Sequence, residues 1–190
     1  MSEISDINPH ELKEHKRREL VETKEYIITK NRKLMTSRFN NSTWNENKSF
    51  ISNKKNLGCT YCTPTRVSKD IPMDAVMFIL EMNNDTNKMM GIGMVINRPH
   101  YRKYRVYQNH NYNRYMFVGK HRIDRSSMDE TEERVMKALD IICFKGNHHM
   151  KRGHGILSFP HILLYRISSV LDLVDFINTM FDKRNLFKKK

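Results

Sequence analysis

Two apolar blocks separated by a polar cluster dominate the middle of the chain. Ala75-Val76-Met77-Phe78-Ile79-Leu80 is a continuous apolar run of strand length, and residues 89–96 form a second. Between them stands the turn cluster Asn83-Asn84-Asp85-Thr86-Asn87. This order predicts a β-hairpin with a slightly long loop. Gly91 and Gly93 lie two apart, so they share one side of the second strand and leave room for another element to approach. They are not a dinucleotide fingerprint, because no helix opens after them and no third glycine follows. Residues 104–107 and 115–123 predict two more strands across the turn-rich stretch 108–114, and residues 156–159 a short one.

Helical signals flank this region. Asn8-Pro9-His10-Glu11 reads as a start, with Asn as cap, Pro at the first position and Glu reaching back. The stretch from Glu11 to about residue 34 has no Gly or Pro, and Leu12, Leu20, Val21, Ile27 and Ile28 give it a thin apolar stripe. Such a helix packs through its second half or projects toward a partner. Residues 40–56 read as a polar loop apart from Trp44, Phe50 and Ile51. Ser127-Met128-Asp129-Glu130 reads as a capping box for a helix running to about Phe144. Val170, Leu173, Val174, Ile177 and Phe181 have the spacing of a last helix. The expected fold is α/β: a small, strongly curved sheet or barrel with packed helices. Its expected organisation is an N-terminal helical arm over 1–45, one α/β domain over 46–182 and a basic tail over 183–190.

A length of 190 residues suits one domain with extensions. Thirty-four Lys and Arg against 21 Asp and Glu leave a net charge of +13, a field that attracts phosphates or anionic lipid. The first residues, Met-Ser-Glu-Ile-Ser-Asp, lack the apolar core of a secretory signal, and no apolar run approaches the ~20 residues of a membrane span. Three cysteines, an odd number, fit reduced thiols. An intracellular protein, cytoplasmic or nuclear and without membrane contact, is the expectation.

The charge is concentrated. Arg98, Arg102, Lys103, Arg105, Arg114, Lys120, Arg122 and Arg125 are opposed within their segment only by Asp124, and Tyr101, Tyr104, Tyr107, Tyr112, Tyr115 and Phe117 are interleaved with them. Cations neutralise phosphates and release counterions, while aromatic faces stack on bases at about 1–3 kcal/mol each in single strands. Guanidinium adds the bidentate phosphate contacts that Lys cannot make. In an extended chain Tyr101, Lys103, Arg105 and Tyr107 share one face and Arg102, Tyr104 and Val106 the other, so some of the tyrosines belong to the core. Expected phosphate contacts are Arg98, Arg102, Lys103, Arg105, Arg114, Lys120, Arg122, Lys151 and Arg152. Expected stacking or groove contacts are Tyr101, Tyr104 and Tyr112.

Other chemistry is thinner. Cys59-Thr60-Tyr61-Cys62 has zinc-knuckle spacing but no second such pair, so a site would need Cys143 and a histidine such as His148; free buried thiols are the default. The acidic residues of the basic β region are few (Asp70, Asp74, Glu81 and Asp124), which disfavours a metal-dependent nuclease, although His148-His149 could serve one. The expectation is a non-catalytic protein that needs no cofactor.

Three local runs carry a resemblance. The first is residues 75–83, a polar turn, then Met90-Gly91-Ile92-Gly93-Met94-Val95. The second is Asn113-Arg114-Tyr115-Met116-Phe117-Val118-Gly119-Lys120-His121-Arg122-Ile123. The third is Asn147-His148-His149-Met150-Lys151-Arg152-Gly153-His154-Gly155 with Pro160 downstream. In this order they resemble the PUA-like superfamily, nearest its YTH and EVE branches, over a little more than half of the chain. The resemblance implies a barrel, a basic surface on the later strand and a loop against the nucleic acid. It also implies a modified-base pocket, near Tyr61 and Asn83 in this chain. The chain departs from YTH readers in its cage: Trp44 is its single Trp, upstream of the hairpin, and Leu57-Gly58-Cys59-Thr60-Tyr61 stands where a cage Trp would fall. Backbone-directed binding of DNA or RNA is therefore the leading expectation. The alternatives are a modified-base reader, a DNA-coating protein that dimerises through its first helix, and a metal-dependent nuclease.

Overall fold

The computed structural model describes residues 8–102, 104–147 and 149–186. Lys103, His148 and the last residues of the basic tail lie outside them.

The first helix, α1 (Pro9–Thr29), starts where its sequence predicts, with the Asn8 side chain accepting from the His10 N–H at 2.9 Å, but the expected return bond from Glu11 is not made among the described residues. It stops at Thr29 instead of continuing to residue 34. The next residues form a strand, β1 (Arg32–Phe39), whose Leu34, Met35, Thr36 and Ser37 are all buried. Consecutive burial marks a strand covered on both faces, and tertiary pairing overrides helical propensity there. Residues 40–56 are not a loop either. They contain α2 (Asn41–Ser52), opened by a capping box in which Asn40 and Thr43 bond reciprocally. Trp44 and Asn47 form its buried side.

The remaining strands are β2 (Cys59–Thr63), β3 (Val76–Asn83), β4 (Lys88–Ile96), β5 (Tyr115–Gly119), β6 (His121–Asp124) and β7 (Ile156–Ser158). The remaining helices are α3 (Glu130–Phe144), α4 (His161–Ser168) and α5 (Leu173–Lys183). The predicted hairpin is β3–β4, and the α3 cap lies two residues later than predicted, with Asp129 and Glu132 as its box.

The strands make a five-stranded sheet in the order β6-β4-β3-β1-β7 and a separate pair, β2-β5. Within the large sheet β1 and β3 run parallel, and the other neighbours are antiparallel. The fold is thus mixed α/β, but the expected barrel or strongly curved sheet is not formed. The edge strands β6 and β7 stay apart, separated by β4, β3 and β1. β7 pairs over only three residues of β1, and β6 over only four of β4. At Gly119–His121 the chain leaves the small sheet and enters the large one, so a strand that could have closed a barrel changes sheets instead.

The apolar run of β3 supplies a core on each side. Phe78, Leu80 and Met82 face α3, α4 and α5, where Phe78 stacks on Phe181 at 5.2 Å between ring centres. Met77 and Ile79 face the other way, toward Tyr61, Phe117, Met116, Trp44 and Tyr107. The two glycines of β4 make the second core possible. A Cβ at Gly93 would stand 1.8 Å from the Tyr61 hydroxyl, and one at Gly91 2.8 Å from Arg122 Nη2. The N-terminal helix lies along α4: Tyr165 bonds Glu22 at 2.7 Å, Arg166 pairs with Glu19, and Lys30 reaches Asp172 and Asp175 beyond. No helix among the described residues is long and apolar enough to cross a membrane.

Candidate nucleic-acid interface

The predicted cations separate into two kinds by what faces them. Arg122 is interior. Its guanidinium is bidentate with Glu81 (Nη2–Oε2 2.7 Å, Nε–Oε1 3.0 Å), bonds Asp124 at 2.6 Å and lies 5.4 Å over the Trp44 ring. Tyr61 completes the group by donating to Glu81 Oε1 at 2.7 Å. With 13 % of its side chain exposed, Arg122 is committed to the core and leaves the set of phosphate contacts. Burial draws its pKa down, but Glu81 and Asp124 outweigh this and keep it charged. Arg125 is likewise held by Glu133 and Asp140, and Arg98 by Asp74 at 2.7 Å.

Asp124 gives this network a pH signature. Burial raises its pKa, but bonds from Arg122 and Ser126 prevail and hold it at about 2, below the usual 3.8. A depressed native pKa gives stability that is complete above the unfolded value and lost as pH falls through the native one. Stability should therefore decline between about pH 4 and pH 2, with Glu132, Glu133 and Asp172, also lowered, adding to the slope. Urea midpoints measured across that range should fall less steeply in Asp124→Asn than in the parent. Identical slopes would contradict the assignment.

The pocket expected at Tyr61 and Asn83 is not there. Both residues are buried, at 1 % exposure each. The Tyr61 hydroxyl is used by Glu81. Asn83 shapes the β3–β4 turn, accepting from the Asp85 and Thr86 N–H groups at 3.0 and 3.2 Å and donating to Asn41. The zinc candidates are also dispersed. Cys59 and Cys62 sit three apart on β2 and so point to opposite sides, and Cys143 belongs to the core across the large sheet. Burial pushes each of the three thiols up to about 12. His148 lies outside the described residues, and among those described no cluster of three His, Cys, Asp or Glu could hold a metal.

The second kind of cation lies on two loops. The expected strand at 104–107 is replaced by a loop that closes on Asn113. Its side chain accepts from the Val106 and Tyr107 N–H groups at 3.0 Å each and donates back to the Tyr107 carbonyl at 2.7 Å. An Asn that satisfies the local backbone in this way competes with a strand ladder. Arg102, Arg105 and Arg114 stand exposed on this loop, and none has an ion pair among the described residues. Tyr101 is 95 % exposed, whereas Tyr104 is half-buried against Phe50 and Lys54. Tyr107 is core, bonded through its hydroxyl to Asn47 at 2.9 Å.

Tyr112 leads to the second loop. It lies 6.4 Å from His154, ring centre to ring centre, and with it walls a cleft of about 500 Å³. The floor comes from Arg38 and Phe39 at the end of β1. One side comes from Asn40 and Thr43 at the start of α2, and the lip from residues 151–155. Gly153 and Gly155, at φ +109° and +75°, give that lip a path other residues rarely take. It is anchored by Met150 N–H on the Cys143 carbonyl at 2.7 Å, by Arg38 Nε on the Met150 carbonyl and by Asn84 Nδ2 on the Lys151 carbonyl at 3.0 Å. Arg38, Lys151, Arg152 and His154 line the cleft, and among the described residues no carboxylate does. Lys120 stands elsewhere, beside Arg32 and Val76 at the opposite end of the sheet, roughly 20 Å away at ~3.3 Å per strand residue.

The cleft thus gathers Tyr112, Lys151 and Arg152 from the predicted set and adds Arg38 and Asn84, which sequence reasoning missed. The signal for Arg38 was present: one cation in the otherwise apolar and hydroxyl run Leu34-Met35-Thr36-Ser37-Arg38-Phe39. It becomes informative only once that run is read as a strand. Comparison with family models, with curated proteins and with solved structures gives no match for this chain.

Proposed function

We propose that the protein binds nucleic acid, largely through the phosphate backbone, and catalyses no reaction on it. The contact face is formed by the 98–114 loop and the 151–155 lip, which meet at Tyr112 and His154. One observation carries this reading. Arg102, Arg105, Arg114, Lys151 and Arg152 have no carboxylate partner among the described residues, whereas the arginines around them, Arg98, Arg122 and Arg125, are each matched by an acid. Cations left unpaired side by side repel one another and are stabilised by an external anion of repeating charge. Tyr101, almost fully exposed, and Tyr112 in the cleft wall supply faces on which bases can stack.

Fluorescence anisotropy with single- and double-stranded DNA and RNA of mixed sequence, with and without magnesium, tests the proposal. Binding to at least one of the four is expected at low salt, with no change in oligonucleotide length on adding magnesium. Absence of binding to all four at low salt would contradict the binding claim, and shortened products the non-catalytic one.

A further inference from the structure

We infer that the cleft at the end of β1 is a site for a phosphate monoester, with Arg38 as its inner anchor. The inference deepens the proposed function, since the same face is involved, but it stands on a separate set of atoms. Arg38 projects from a strand under the 151–155 lip. One nitrogen, Nε, bonds the Met150 carbonyl, while Nη1 is buried and has no hydrogen-bond partner. No carboxylate pairs with this side chain among the described residues, and burial draws its pKa below the usual range. A half-buried cation whose inner nitrogen is withdrawn from water and meets no counter-charge among the described residues is costly. Contrast Arg122, where Glu81 and Asp124 meet the same need from within the chain.

A second unmet group lies in the same lining. Asn84 donates through Nδ2 to the Lys151 carbonyl, but its Oδ1 is buried and unbonded. Two residues of the lining therefore carry a donor and an acceptor, both buried, for which no partner is found among the described residues. Lys151 and Arg152 add charge, and the described residues of the lining include no acid. At the start of α2 two amides are already occupied, Asn41 N–H by Asp85 at 2.8 Å and Thr43 N–H by Asn40 at 2.8 Å, and the Asp85 carboxylate beside them disfavours an anion there.

The ligand chemistry follows from charge and size. A phosphate monoester carries close to two negative charges near pH 7, which suits three cations, and a hydroxyl or amine on the attached group can serve Asn84. A phosphodiester within a strand carries one charge and continues on both sides. A volume of about 500 Å³ lies in the range of small-molecule sites and admits a single nucleotide, with Tyr112 beside its ring. Two sources offer this group: a free mononucleotide and the phosphorylated end of a strand.

The test uses the full chain and three probes: adenosine 5′-monophosphate by calorimetry, and one short single strand carrying either a 5′-phosphate or a 5′-hydroxyl by anisotropy. For a strand end, the phosphorylated strand should bind about tenfold tighter than its hydroxyl twin, as expected for one added charged contact. For a free nucleotide, the monophosphate should bind while the two strands do not differ. Arg38→Met should abolish whichever preference is found. The same variant should unfold at a nearly equal urea concentration, since loss of the bond to the Met150 carbonyl is offset by removal of a half-buried cation with no carboxylate partner among the described residues. A large loss of stability would make Arg38 a structural residue and overturn the assignment. So would failure of the monophosphate to bind together with equal affinity for the two strands. In that case binding of the hydroxyl strand would still support the broader function. Monophosphate binding together with failure of all four nucleic acids to bind at low salt would support the site and refute the broader function.

Discussion

Arg122→Ala should lower the unfolding free energy by about 3–5 kcal/mol, the cost typical of removing one partner from a buried ion pair. The substitution leaves Glu81, whose side chain is 3 % exposed, with the Tyr61 hydroxyl as its remaining close partner. It also removes the cation over Trp44 and opens space beside Gly91 of β4. Arg122→Lys keeps the charge but loses the fork that reaches both Glu81 oxygens and Asp124, so an intermediate loss is expected. Pairing Arg122→Met with Glu81→Gln should recover part of the loss, because the uncompensated charge is then gone. Urea denaturation of the single and double variants, read as a double-mutant cycle, provides the numbers. A loss under about 1 kcal/mol for Arg122→Ala would show that the residue is not held as described.

The second large effect concerns binding. Replacing Arg102, Arg105 and Arg114 together by Ala should weaken nucleic-acid affinity by about tenfold or more and reduce the salt slope by about two to three, at 0.7–0.9 per lost phosphate contact. Their removal should leave the urea midpoint nearly unchanged, because all three are exposed and without ion pairs among the described residues. The two variants thus form a contrast between arginines from one short stretch of sequence. Arg122 should report on the fold, and the loop arginines on the ligand. Equal affinity and slope in the triple variant would remove the 98–114 loop from the interface.

That contrast shows where sequence reasoning reaches its limit. Arg102 and Arg122 look alike along the chain. They differ because Glu81, 41 residues upstream of Arg122, comes beneath one of them when β4 pairs with β3 and β6. The hairpin itself was legible, since the run 75–80 has one meaning at that length when bounded by turn residues, and the glycine spacing foretold a close approach. The start of α1 was legible for a similar reason, because its cap is local. β1 was not. Residues 32–39 continue a stretch without Gly or Pro, and they become a strand only through pairing with Val76–Asn83 and Ile156–Ser158. Missing β1 meant missing Arg38. The expected strand at 104–107 failed through Asn113, whose side chain closes the loop. The barrel failed because the chain changes sheets at Gly119–His121, which no local pattern announces.

The central claim is that unpaired cations on this face meet phosphates, and the dependence of affinity on salt tests it most directly. Association constants for one duplex and one single strand, measured over a series of salt concentrations, should fall linearly on a double-logarithmic plot. The expected slope is about −3 or steeper, corresponding to at least three or four phosphates neutralised. An affinity that stays constant across the series would contradict the account.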